Sequence, residues 1–198
     1  MDAKAHLRKR LRADRHAAVA ALDPRMAALL LMRPPAAVVE LIPAGATIGL
    51  YAAGPDEAPT LGYAKWFIEA GHRLALPWFA TRDAPMMFRE WALPYADDSL
   101  ATGPYRIAQP PADAPEWVPE VVFVPLIGFS GDGGRLGQGG GHYDRWLAAH
   151  PRAIAIGLAW DCQLVEQLPQ ESHDRPLTAV VTPTRLYGPF AMAGAATT

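Results

Sequence analysis

Residues 131–141 carry glycine at seven of eleven positions and run directly into His142, Tyr143, Asp144 and Arg145. Glycine lets the backbone pass through positive φ and approach a ligand without a Cβ in the way. Successive backbone N–H groups can then converge on an anion, and a helix opening at the same place adds partial positive charge. Arg135, inside the run, brings a planar guanidinium that matches a phosphate. The chemistry this pattern supports is the cradling of phosphate. Asp144 falls in the first turn of the following helix. There it can serve a Mg²⁺ ion that bridges phosphates, since that ion takes one or two carboxylates with phosphate oxygens. Attraction of a carboxylate to the helix dipole accounts for Asp144 equally well. The pattern Gly-x-x-x-x-Gly-Lys-Ser/Thr is absent, and His142 stands where a dinucleotide fingerprint needs glycine or alanine. Both observations argue against a P-loop nucleotidase and a nicotinamide dehydrogenase.

Lys4 and Arg8 lie one helical turn apart and can point at one phosphate chain. Taken alone, a basic helix is a solvated face, and Arg10, Arg12 and Arg15 are read that way. Glu57 sits in an acidic, proline-flanked turn and Asp174 in a second turn; each alone reads as a cap or a solvated charge. Trp78, Phe88, Trp91, Tyr95 and Trp117 could stack on an aromatic ligand, although such side chains belong more often to a core. His173 reads as structural. No Ser/His/Asp or Cys/His arrangement has support. Cys162 is the single cysteine, so no disulfide can form within the chain, which fits a reducing cytosol and an inert thiol.

These groups need elements to hold them. Residues 4–22 read as an amphipathic helix with an apolar stripe of Leu7, Leu11, Ala18 and Leu22. Asp23 and Pro24 open a second helix that ends near Arg33. Thr47–Ala52, Arg73–Pro77, Glu120–Pro125, Ala153–Ala159 and Val180–Pro183 read as strands. Ala58–Ala70, stopped by Gly71, and His142–Ala149 read as helices. Strands alternating with helices predict a single α/β domain over residues 1–198, a Rossmann-like three-layer α/β/α sandwich around a mostly parallel sheet. Residues 80–119, rich in proline and aromatics without a clear period, are expected to form an irregular surface excursion.

About half of the 198 residues are apolar, enough for a core. The formal charge of −2 gives no case for nucleic-acid binding by the whole chain. Six of the lysines and arginines crowd into the first 16 residues and leave an acidic remainder. No signal-peptide core follows the basic start, and the apolar stretch 26–42 is interrupted by Arg33, Pro34, Pro35 and Glu40. A cytoplasmic protein is expected.

The segment VPLIGF (124–129) followed by GRLGQGGGHYDR (134–145) resembles the signature of the 5-formyltetrahydrofolate cyclo-ligase family, also called 5,10-methenyltetrahydrofolate synthetases. Further pieces agree in order: Lys4 and Arg8, then Asp56, Glu57 and Thr60, then Leu76-Pro77 and Met87-Phe88. Gly103-Pro104 with Ile107, Gly157–Trp160 with Gln163, Leu168–Asp174 and Val180–Pro183 follow. The resemblance implies an α/β/α fold and the MgATP-driven conversion of 5-formyltetrahydrofolate to 5,10-methenyltetrahydrofolate. It implies that Lys4, Arg8 and the loop Gly134, Arg135, Leu136, Gly137, Gln138, Gly139, Gly140, Gly141, His142 and Tyr143 hold ATP. Arg135 and Tyr143 are implied to be catalytic, and Asp144 and Asp174 to serve Mg²⁺. Glu57, with Gln138, Gly139 and Gly140, is implied to bind the folate. Asp144→Ala is then expected to lower turnover with little loss of stability. Four positions depart from the family pattern: Ser130 and Gln109 stand where Asp and Glu are common, and Gln138 and His142 where an aromatic is frequent. A folate- or nucleotide-binding module of the same fold without turnover is the alternative.

Overall fold

The computed structural model describes residues 3–27, 29–94, 96, 99–169, 171 and 174–190. Its first half contains α1 (Ala3–Ala20), α2 (Pro24–Ala27), α3 (Ala36–Val39), β1 (Thr47–Gly49), α4 (Leu61–Glu69), β2 (Arg73–Trp78), β3 (Met87–Glu90), β4 (Ala101–Thr102) and β5 (Ala108–Gln109). The second half adds β6 (Val121–Pro125), β7 (Gly128–Ser130), β8 (Arg135–Leu136), α5 (His142–Ala149), β9 (Ile154–Leu158), β10 (Leu164–Val165), β11 (Ala179–Val181) and β12 (Leu186–Tyr187).

Seven strands form one sheet in the order β12-β11-β9-β6-β1-β2-β3. Its five central strands pair parallel, and β12 and β3 close the edges antiparallel. Side chains alternate between the two faces of a strand, and both faces here are apolar. Leu74, Leu76, Val121, Phe123, Ile156 and Leu158 pack on the side of α4, against Tyr63, Ala64 and Phe67. Ala75, Val122, Val124 and Ala155 pack on the other side, against Trp146 and Leu147 of α5. The α/β/α sandwich with a mostly parallel sheet is as expected, and it explains why the strands read as continuous apolar runs. A third cluster joins Leu7 and Leu11 of α1 to Ile127 and Leu136, fastening α1 to a small sheet made of β10, β7 and β8.

Three expectations are corrected. Residues 80–119 are not only an excursion, because they supply the edge strand β3 and the hairpin β4–β5, and they bury Met86, Phe88 and Trp91. Strands of two to four residues are too short for a period to show, and the prolines between them mask it. The second helix stops at Ala27 rather than near Arg33, and Leu31, at φ 56°, takes a conformation that a right-handed helix does not admit. Asp23 nevertheless caps it, accepting from the Arg25 and Met26 amides at 2.7 and 3.3 Å. Finally, the glycine run is not one continuous loop. Its first part turns back as the hairpin β7–β8, and only residues 137–141 form the open loop before α5.

Candidate active site

Among the parallel strands the order reverses between β1 and β6, and in doubly wound sheets ligands settle beyond the carboxyl ends of the strands at that point. A cavity of about 530 Å³ opens there. Tyr51 and Ala52 reach it from the end of β1, Pro77 and Phe79 from β2, and Val124 and Pro125 from β6. The glycine loop closes one wall, and α1 sends in Lys4 and Arg8. Gly139, at φ 109°, and Gly141, at φ 63°, take backbone conformations that side chains disfavour. Gly141 also stands at the N-cap of α5, so the loop delivers the chain into that helix.

At one end of the cavity, cations and carboxylates are interleaved. Lys4 Nζ lies 2.9 Å from Asp174 Oδ2 and 3.2 Å from Glu171 Oε2. Burial alone would pull the Lys4 ammonium down, but hydrogen bonds and charge from Asp174 and Glu171 raise it above the ordinary lysine value. Arg135 Nη2 is ion-paired with Asp144 Oδ1, and Nη1 donates to the Arg175 carbonyl at 3.3 Å. Its side chain is only 3% exposed. Burial lowers its pKa, opposed first by Asp144 and then by Asp174, so both carboxylates flank one guanidinium. Arg8 Nε donates to the Gly137 carbonyl at 2.9 Å and fixes the loop to α1. Among the described residues no group of three or more His, Cys, Asp or Glu could hold a metal. Two carboxylates beside cations suited to phosphate are nonetheless a donor set that Mg²⁺ accepts when phosphate and water complete its shell.

The other end carries Glu57, Tyr51 and Tyr143. Glu57 Oε2 accepts from the Gly54 amide at 2.9 Å, and Oε1 accepts from Gln138 Nε2 at 3.3 Å. Tyr51 is spent on structure, donating to the Ala58 carbonyl at 2.7 Å. The Tyr143 hydroxyl is buried and has no hydrogen-bond partner among the described residues. Burial, then the Glu57 charge, pushes its pKa far above the usual phenol value, so it stays a neutral donor. An unspent buried donor beside a cavity points to a ligand acceptor, because leaving it unmade costs free energy.

Three rings that line the cavity form an aromatic clasp. Phe79, Tyr105 and His142 meet edge to face with centroids 4.9–5.4 Å apart. Arg145 Nη2 lies 3.1 Å from His142 Nδ1, and Tyr105 Oη lies 3.1 Å from His142 Nε2 and 2.6 Å from the Arg82 carbonyl. Because Arg145 can only donate, Nδ1 accepts, Nε2–H donates to Tyr105, and Tyr105 donates onward to Arg82. Burial and then Arg145 lower the His142 pKa, which agrees with this neutral tautomer.

Fourteen of the expected site residues line this one cavity: Lys4, Arg8, Glu57, Arg135–Asp144 and Asp174. Gly134 does not. Its amide meets Asp132 Oδ1 at 3.3 Å and its carbonyl meets the Ser130 amide at 3.0 Å, so it builds the β7–β8 turn. Ser130 donates to the same Asp132 oxygen at 2.5 Å, so a neighbouring carboxylate serves the turn. Gln109 exchanges two 3.1 Å hydrogen bonds with the backbone of Phe79, one as acceptor and one as donor, a pairing that ionised Glu cannot make. Trp78, Phe88, Trp91 and Trp117 do not line the cavity; Phe79 and Tyr105 do, and no sequence signal separated them from the rest. Tyr95 and His173 lie outside the described residues. Arg12 is exposed, as expected, and contacts Gln138, whereas Arg15 is not the solvated charge expected but is buried, with Nη1 3.4 Å from the Leu126 carbonyl. Asp144 is no exposed loop end either, since it is the partner of a buried guanidinium.

The family profile described as the 5-formyltetrahydrofolate cyclo-ligase family matches residues 1–183. The 5-formyltetrahydrofolate cyclo-ligase of Escherichia coli strain K12 is 34% identical over 148 residues, which span 71% of this chain and 80% of that protein. That of Mycolicibacterium smegmatis is 32% identical over 152 residues, 71% of this chain and 75% of that one. The NMR structure of Aquifex aeolicus 5,10-methenyltetrahydrofolate synthetase superposes with a TM-score of 0.71 at 22% identity, covering 98% of this chain and 96% of that one, and shares the fold. A profile that spans the glycine loop, the basic helix and both carboxylate turns leaves one conclusion: the chain belongs to the 5-formyltetrahydrofolate cyclo-ligase family and is a ligase of that family.

Proposed function

We propose that the protein converts 5-formyltetrahydrofolate to 5,10-methenyltetrahydrofolate, using ATP and releasing ADP and phosphate. The reading is supported by one cavity that holds two sets of groups, one suited to phosphate and one suited to a folate. Lys4, Arg8, Arg135 and the glycine loop make up the first, Glu57 and the unspent Tyr143 hydroxyl the second.

The chemistry requires such a division. An N-formyl group is an amide, and its oxygen is a poor leaving group. Transfer of the γ-phosphoryl to that oxygen breaks the β–γ bridge and gives an iminophosphate. N10 then attacks the activated carbon, the C–O bond breaks as phosphate leaves, and the N10 proton passes to solvent. Phosphoryl transfer depends on positioning and charge neutralisation rather than on a protein nucleophile. Lys4, Arg8 and Arg135 supply positive charge along the phosphate chain. Asp144 and Asp174 would hold Mg²⁺, which when bound neutralises phosphate charge. Glu57, an acceptor on both oxygens, takes the amino and ring N–H donors of the pterin, and Tyr143 donates to an oxygen between the two ends.

No helix in the described residues is long and apolar enough to cross a membrane. A cytoplasmic place of action, with a folate as small-molecule partner and neither nucleic acid nor membrane involved, belongs to the same proposal. The test is incubation with MgATP and 5-formyltetrahydrofolate, following methenyl absorbance and ADP together. Folded protein that gives neither product sinks the proposal, and tight binding of both ligands without turnover favours a binding module.

A further inference from the structure

Lys4, Arg8, Arg12 and His16 form one row on α1, four residues apart, and the row runs along the cavity and past its rim, each residue meeting its own partner. Lys4 meets Asp174 at 2.9 Å, Arg8 the Gly137 carbonyl at 2.9 Å, Arg12 the Gln138 side chain at 2.9 Å, and His16 Nδ1 meets Asp56 Oδ2 at 3.1 Å. The row begins at the phosphate end and finishes beside Glu57. Lys4 and Arg8 have their work in the proposed function; Arg12 does not.

From this row we infer that Arg12 is a positioning residue for the folate carboxylate Glu57, acting through Gln138. The inference rests on the reading of Glu57 as the folate contact. A glutamine amide can point either way, and its neighbours decide which. The Arg12 guanidinium has donors only, so the side-chain atom of Gln138 facing it at 2.9 Å is the oxygen, Oε1. The Gln138 NH₂ group is thereby turned toward Glu57 Oε1, which it meets at 3.3 Å. A second Arg12 contact, to the Gln138 carbonyl at 3.2 Å, keeps the residue in place. With Gly54 donating to the other oxygen, the Glu57 carboxylate is oriented from two sides. Arg12 does this without pairing with Glu57, whose charge stays available to a ligand. Without Arg12 the Gln138 amide loses the partner of its oxygen, and only Glu57 itself is left to orient it.

The experiment is steady-state kinetics with both substrates varied, plus melting temperature, on Arg12→Ala, Arg12→Lys, Gln138→Ala, the Arg12→Ala/Gln138→Ala double variant and Glu57→Ala. Arg12→Ala should raise KM for 5-formyltetrahydrofolate roughly three- to tenfold, the scale of one net hydrogen bond. KM for MgATP should move by less than about twofold, with melting temperature unchanged, as for other surface positions. Arg12→Lys, also a pure donor, should recover most of the loss. The double variant should be no worse than Gln138→Ala, because the two residues act in series. Equal rises in both KM values with a lower melting temperature, or additive single effects, would overturn the inference and leave a simple brace of the loop. If Glu57→Ala leaves the folate KM unchanged, the reading of Glu57 fails; if it raises that KM while Arg12→Ala does not, the inference alone fails.

Discussion

Lys4 Nζ stands 2.9 Å from Asp174 Oδ2, joining the first helix to a carboxylate 170 positions away. In this pair a residue suited to phosphate and a residue suited to a metal neutralise each other. A ligand that brings both phosphate and a divalent cation gives each a better partner at once. Lys4→Ala is therefore expected to raise KM for MgATP by about tenfold, the scale of a charge-assisted hydrogen bond. The folate KM should hardly move. Separate titration of the two substrates checks this, and an equal loss for both would show that Lys4 braces the cavity instead.

Asp144 makes a different prediction from the one that its place in the sequence suggests. Its carboxylate partners an Arg135 side chain that is only 3% exposed. Removing one member of a shielded pair leaves the other uncompensated. Asp144→Ala should lower stability by about 1–3 kcal/mol, less than a fully buried pair because Asp144 is itself partly exposed. Turnover should fall as well. Denaturant unfolding of the variant measures the first effect, and unchanged stability would mean that Asp174 and the Arg175 carbonyl suffice for Arg135.

Gln109 fixes Phe79 by giving and taking one hydrogen bond with its backbone. Gln109→Glu keeps the shape but loses the donor, and it sets a carboxylate against the Phe79 carbonyl. The residue is 8% exposed, so a stability loss of about 1–3 kcal/mol is expected. The clasp that Phe79 forms with Tyr105 and His142 should loosen, raising the folate KM. Acidification that restores the variant by protonating the introduced carboxylate would confirm the cause, because the carboxylic acid regains a donor.

How much of this was legible in the sequence follows from the range of the forces involved. The central strands were visible because burial on both faces leaves uninterrupted apolar runs such as Val121–Val124. The glycine loop was visible because seven glycines leave a local trace. The edge strand β3 was not, since four residues carry no period of their own. Arg12 and Gln138 lie 126 positions apart, and nothing local marks a contact between exposed polar residues. Gln109 looked like a departure from a family pattern, and its purpose appeared only once Phe79 was seen 30 positions away.

Cys162 should be slow to react. The residue is exposed at the surface, and the partial desolvation of its sulfur is the main cause that lifts its thiol above the ordinary value. The thiolate is the nucleophile, so its fraction at neutral pH is smaller than for a free thiol and grows only as the pH climbs toward the raised pKa. Alkylation near pH 7.5 is expected to run slower than for free cysteine, to accelerate steadily above pH 9, and to leave turnover unchanged. Rapid labelling at neutral pH would contradict the assignment.

Tyr143 offers the sharpest separation of function from stability. Its hydroxyl is buried without a partner among the described residues, so it contributes an unmet donor rather than a bond. Replacing such a group by hydrogen removes a desolvation cost and opens no large cavity. Tyr143→Phe should therefore match the wild type in stability or exceed it by up to about 1 kcal/mol. If the hydroxyl serves the reacting oxygen, the same change removes a hydrogen bond made only when substrate is bound. Turnover should then fall roughly tenfold or more, with kcat affected more than either KM where the bond strengthens toward the transition state. Thermal unfolding and steady-state kinetics on one preparation decide the matter. A variant less stable than the wild type but equally active would show that the hydroxyl has a partner within the fold and no part in the chemistry.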